Sequence, residues 1–373
     1  MLLLALLVAF LCRGASARAM EPEELEEEQL EQYDYDEIDE ALEELFPEER
    51  LDFGETLGEV LSGDVAVSAG LLNRLVYDQF FYALGSCREN LGHILLIAVI
   101  AAVFSNFSGV FQSRQISEIS FYLLYLLLVA LCLNSFQAVL DWVGEGVEAL
   151  TTFMGAFCPV YFLAVAVAKG SVTAVAFYNL VLFLIYLAQM VIAGFLLPVI
   201  HIYFIVQVLN FLSREDYLSK LAGVLHMGVA WALKTVLACV VGLNVIQGLI
   251  SPAVDSVKRS VLTRGVEAIP GVGDAIGGVT EVALGTAVLV KNGIGVTGAV
   301  ICVALCVVPL VQIGCIAFLY KRAAALIQPV SDQRVAGCIE SVGDGCRLLM
   351  RVVFTTGLLF LLTIVVAAAL TSL

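Results

Sequence analysis

Charge is scarce in this chain outside one segment. Charged residues are 14% of its 373 positions and apolar residues 60%. A soluble domain averages about 25% charged and about 45–50% apolar. Nineteen basic and thirty-five acidic side chains could not coat a core of this size with polar surface. Nor are they spread out, since sixteen of the acids fall within residues 21–50 beside a single arginine. The net charge of −16 is therefore local, and the remainder is nearly neutral. No basic surface for nucleic acid is left. The composition is that of an integral membrane protein.

Signatures of chemistry are scarce too. The three histidines, His93, His201 and His226, lie on separate apolar stretches. There is no H-E-x-x-H, G-x-S-x-G or Walker A loop. Ten cysteines include no C-x-x-C pair, which removes the usual zinc and redox spacing. Cys132, Cys158, Cys239, Cys302, Cys306 and Cys315 sit inside apolar runs, where a thiol behaves as a small hydrophobe. Cys338 and Cys346 fall on the side assigned below to the cytoplasm, where a disulfide is not expected. No catalytic residue, cofactor or metal ligand is assigned.

What the chain has is hydrophobic length. Residues 1–19 resemble a secretory signal peptide, with an apolar run over 2–11 and small residues at Ala15, Ala17 and Ala19. Ten apolar residues are too few to span a bilayer. Residues 20–50 form the acidic segment, expected to be an exported, disordered spacer. Its apolar positions (Leu25, Leu30, Ile38, Leu42, Leu45 and Phe46) leave room for a short helix against a partner. Residues 51–88 change to an amphipathic pattern, with Leu57, Val60 and Leu61, then Leu71, Leu72, Leu75, Val76 and Phe80 at helical spacing. These are expected as exported helices on a membrane surface or a partner.

The membrane domain occupies 91–373. Hydropathy divides it into about eight spans: 91–111, 116–140, 153–168, 172–193, 195–212, 231–250, 292–320 and 348–370. The fold class is thus all-α and polytopic, behind a cleaved signal peptide, with amphipathic interfacial helices. The polar stretch 141–148 is expected to connect two spans outside the cytoplasm, and 251–291 is the longest polar connection. Basic residues fall mainly in the loops assigned to the cytoplasm, as the positive-inside rule requires. The mature amino terminus is then outside. Lys234, Lys291, Lys321 and Arg322 are expected as charges at membrane boundaries, where long stems let the head reach water. Lys234 at mid-membrane, as a functional charge, is the alternative.

One stretch is unusual. Residues 269–298, IPGVGDAIGGVTEVALGTAVLVKNGIGVTG, hold eight glycines in thirty positions. They include a formal G-x-G-x-x-G at Gly293, Gly295 and Gly298. A dinucleotide loop needs an amphipathic helix after it and an acid about 20 residues on. Here the following stretch is apolar nearly all round, and the next acid is Asp332. Helix packing is the better account, with Gly273-x-x-x-Gly277 as a small-x-x-x-small pair. Pro270, Gly271, Gly273, Gly277, Gly278, Gly293, Gly295 and Gly298 are the assembly candidates. A turn or re-entrant course is expected near Pro270.

This stretch also carries a resemblance. Together with VPLVQIGCIAFLYKRAAALIQPVSDQR (308–334), CIESVGDGCRLL (338–349) and LSKLAGVL (218–225), it resembles the stage III sporulation protein AE family over roughly 51–373. The acidic segment before residue 51 has no counterpart in that resemblance. The resemblance implies a non-enzymatic, multi-pass protein of the mother-cell membrane around the forespore. It also implies work in a channel or secretion-like complex across the intermembrane space. Implied partners are other products of the same sporulation operon and a forespore membrane protein, besides the bilayer; a homo-oligomer is possible. The rival reading is a stand-alone secondary transporter, which would call for mid-membrane charges and an internal repeat. Only Lys234 is a candidate for the former, and no repeat relates the two halves.

Overall fold

The computed structural model describes residues 35–45, 53–61, 114–169, 173–212, 217–266, 273–329 and 331–369, with scattered positions between 77 and 103. Residues 1–34, where the signal peptide is expected, and 267–272, which include Pro270 and Gly271, lie outside the described residues. The described elements are helical. They are α1 (Asp36–Leu45), α2 (Phe53–Leu61), α3 (Arg114–Lys169), α4 (Thr173–Val191), α5 (Leu197–Leu212), α6 (Ser219–Val266), α7 (Gly273–Ile327) and α8 (Gln333–Ala369). A π-helical turn, Ile192–Leu196, joins α4 to α5 without a break. Five apolar stretches are long enough to cross a membrane: Tyr122–Ala168, Tyr178–Phe211, Ser219–Leu243, Ala287–Ile327 and Gln333–Ala368.

Continuity is where hydropathy and structure part. The expected connection at 141–148 is helical and lies within α3. Asp141, Glu145 and Glu148 recur at i, i+4 and i+7, so they form one exposed stripe on that helix and need no loop. The expected boundary between 172–193 and 195–212 is the π turn, whose extra residue re-phases the helix while the chain continues. The polar connection expected over 251–291 is helix except for residues 267–272, which are not described. Gly273, Gly277 and Gly278 therefore lie in the first turns of α7. At about 1.5 Å per residue, α3, with 56 residues, is about 84 Å long, against a hydrocarbon core of about 30 Å.

True breaks have local causes. Pro329 follows the end of α7 at Ile327, where a missing N–H and a fixed φ stop a helix. Asp332 then opens α8, its carboxylate accepting the Arg334 N–H at 3.0 Å and its carbonyl accepting the Val335 N–H at 3.0 Å. Between α5 and α6, the buried Asn210 side chain accepts the Leu218 N–H at 2.8 Å.

The helices enclose two cores stacked end to end. In the first, Tyr125, Cys132 and Phe136 of α3 meet Ile200, Phe204 and Val208 of α5, Ile313 and Tyr320 of α7 and the stretch 335–353 of α8. In the second, Phe153, Phe157 and Tyr161 of α3 meet Val181 and Ile185 of α4, the stretch 290–306 of α7 and 359–367 of α8. Residue numbers rise from the first core to the second in α3 and α8 and fall in α7. Hence α3 and α8 run parallel, with α7 antiparallel between the same two ends.

The acidic segment is not a free spacer over its last stretch. Helix α1 puts Ile38 and Leu42 on one face, and both are 0% exposed in the second core, as are Phe53 and Leu57 of α2. Asp39 accepts the Phe53 N–H at 2.7 Å, and the Tyr35 and Phe53 rings lie 5.4 Å apart. Burying each of the four side chains is worth roughly 1.5–3 kcal/mol, enough to order so short a hairpin. Carrying Ile38→Asp and Leu42→Asp together should therefore strip amide hydrogen-exchange protection from residues 36–45 by roughly tenfold or more. Unchanged protection would show that α1 is held some other way.

Candidate functional site: a glycine seam beneath an aromatic ladder

Helix α3 carries Phe153, Phe157 and Tyr161 at i, i+4 and i+8, so their rings stack in a column. The centroids are 5.5 and 5.3 Å apart. Such spacing is within the favourable range for aromatic pairs. The column lies on the glycines of α7. A Cβ at Gly298 would collide with the Phe157 ring, and one at Gly295 would stand 3.1 Å from the Tyr161 ring and hydroxyl. At Gly293 the occupant is α2: a Cβ there would lie 2.6 Å from Leu61 Cδ2 and 3.0 Å from Leu57 Cδ1. At Gly298 the Phe157 ring leaves no room for a side chain, while at Gly295 and Gly293 the ring of Tyr161 and the ends of Leu61 and Leu57 would have to give way.

Helix α8 repeats the device against other neighbours. Gly337 receives Phe211 of α5, Gly343 the stem of Lys321 of α7, Gly345 the ring of Phe136 of α3, and Gly357 the Cys306 side chain of α7. The sequence reading missed these four glycines and the aromatic column. The run Gly337-x-x-x-Ser341-x-x-x-Gly345 was the available signal, a small residue on every turn of one face. Ser341 is buried and turns its hydroxyl back to the Gly337 carbonyl at 2.8 Å. The cysteines join this packing: Cys132, Cys158, Cys302, Cys306, Cys315, Cys338 and Cys346 are buried thiols.

The four boundary cations have four different settings. Lys234 is exposed at the middle of the bundle, one turn from the exposed Trp231. Lys291, expected near a boundary and water, is 1% exposed, two residues from the glycine that α2 covers. Lys321 pairs with Asp344 at 3.0 Å. Arg322 sets its guanidinium 4.3 Å above the Phe318 ring. Among the described residues, no three His, Cys, Asp or Glu side chains are grouped to hold a metal ion. His226 lies beside the Tyr203 ring, and His93 is exposed at a separate place. What this arrangement can do is hold backbones close and present surfaces.

The sequence profile of the family described as stage III sporulation protein AE matches residues 51–371. The chain belongs to that family. It is 23% identical over 312 residues to the stage III sporulation protein AE of Bacillus subtilis (strain 168), covering 83% of this chain and 78% of that one. No solved structure matches it. The family's role is in sporulation. Its match takes in α2, the glycine seam and α8, while α1 and the rest of the acidic segment precede it.

A test of the seam follows from the sporulation protein's own geometry. Gly298→Leu should destabilise the chain by about 1–3 kcal/mol through overpacking against Phe157. Adding Phe157→Ala to the same chain should recover most of the loss. Thermal midpoints in detergent would check this, and an unaltered midpoint for Gly298→Leu would contradict it.

Proposed function

We propose that the chain is a non-enzymatic, multi-pass membrane component of a channel or secretion-like complex between mother cell and forespore. Family membership carries the sporulation role, and the glycine seam that holds the helices close supports a part in assembly. The products of the same operon and a forespore membrane protein would be the partners. The stand-alone transporter has less support: Lys234 is exposed on the outside of the bundle and does not line an interior path. Affinity capture of the tagged chain from sporulating cells should enrich those partners. Transport of a small solute by the purified chain alone in liposomes would favour the transporter.

The proposed topology has a cleaved signal peptide, an exported amino terminus and six crossings: residues 91–111 and the five long apolar helices. Helical continuity supports six in place of the eight that hydropathy divides. The orientation places Arg114, Lys220, Lys321, Arg322 and Arg334 at the cytoplasmic end, while Lys169, Lys258, Arg259 and Arg264 fall toward the other end. The end that receives the acidic α1 would be exported. Ser171 separates the two readings, because it is cytoplasmic with eight crossings and exported with six. A cysteine at Ser171, in a cysteine-depleted chain, should react with an impermeant maleimide on intact cells. Protection there would restore the eight-crossing count.

A further inference from the structure

Midway along the bundle, where the first core gives way to the second, the outer wall carries charge. On α3 the exposed face reads apolar at Ile119, Leu123, Leu126 and Leu127, acidic at Asp141, Glu145 and Glu148, and apolar again at Leu163 and Val167. On α8 the exposed face carries Arg347 and Arg351 ahead of Phe354. Gln137 donates to Asp141 at 2.8 Å. Among the described residues, neither Glu145 and Glu148 nor Arg347 and Arg351 enter an ion pair within the chain.

The two sets face opposite ways at one level. Phe136 of α3 touches Gly345 of α8 and so fixes both the shared level and the facing sides. At about 100° per residue, Asp141, Glu145 and Glu148 lie about 120–180° round α3 from Phe136. Arg347 and Arg351 lie about 120–160° round α8 from Gly345. Each set therefore points away from the other helix. Because α3 and α8 run parallel, a rise of about 1.5 Å per residue puts the acids about 7–18 Å beyond that contact and the arginines about 3–9 Å beyond it. Arginine side chains are long enough to bridge the remaining offset.

We propose that the chain self-associates head to tail, the acidic face of α3 in one copy meeting Arg347 and Arg351 of α8 in the next. Opposite charge on opposite sides, in register on parallel helices, is what a heterologous interface needs, whereas an isologous one would set like faces together. Lipid favours the same outcome. Charges flanked by apolar wall are costly when they face hydrocarbon and are retained where they pair. Repeated contacts of this kind close into a ring if the rotation permits.

Two differently tagged copies of the full chain, co-expressed and solubilised in mild detergent, provide the test. Wild-type copies should capture each other. The pair Glu145→Arg and Glu148→Arg should lower capture roughly tenfold or more, and Arg347→Glu with Arg351→Glu should do the same, because each sets like charges together. All four changes in one chain should restore capture. These side chains are exposed, so helix content by circular dichroism should stay unchanged. As a second measurement, a copy with Glu145→Cys should cross-link to a copy with Arg351→Cys in cysteine-depleted chains. A monomeric wild type, undiminished capture by either single-face variant, failure of the fourfold variant, or absence of the cross-link would overturn the proposal. A monomeric wild type would leave these faces to another protein.

Discussion

Direct contact between aromatic rings and glycine backbone is the interaction the rest of this molecule depends on. Lipid tails are as apolar as leucine, so helices inside a membrane gain little from hiding side chains from one another. What holds them is close van der Waals contact, and its strength falls quickly with a small gap. Glycine removes the gap. Phe157 and Tyr161 reach Gly298 and Gly295 on α7, Phe136 and Phe211 reach Gly345 and Gly337 on α8, and Cys306 reaches Gly357. Helix α8 is central because it offers a hole to each of three neighbours.

A different force acts at the end where α1 and α2 dock. An acidic segment leaves water when it docks, so burial of Ile38, Leu42, Phe53 and Leu57 is hydrophobic in the ordinary sense. The same α7 seam serves both forces, since Gly293 takes Leu57 and Leu61 from α2 while Gly295 and Gly298 take the rings of α3. Through this shared seam the amino-terminal hairpin becomes part of the bundle. The family match begins at residue 51, so α1 lies outside it and packs against helices that lie within it.

Much of this was legible in the sequence. Composition pointed to a membrane protein, the length of its apolar runs to helices, and three glycines within six positions to close packing. Helical continuity was not legible, because hydropathy treats any charged interval as a connection. Yet the spacing of Asp141, Glu145 and Glu148 was already that of one helical face. The aromatic column escaped notice because its glycine partners lie more than 130 residues away, and an i, i+4, i+8 row of rings has no meaning until its facing surface is known. Helix α1 was hidden by composition: its acids set the impression of a solvated tail, while only a few apolar positions decide where it packs. The glycines of α8 were hidden by their charged neighbours, Glu340, Asp344 and Arg347, which gave 338–347 the look of a loop.

The most direct test of the account is a short-span cross-link between a cysteine at Leu61 and one at Gly293, made in native membranes from a cysteine-depleted chain. If α2 fills the α7 seam, a bifunctional thiosulfonate reagent should join the two positions within one chain, and a Phe157→Ala change should leave that link intact. Absence of the link, or a link found only between chains, would contradict the seam as the place where the bundle and its amino-terminal hairpin meet.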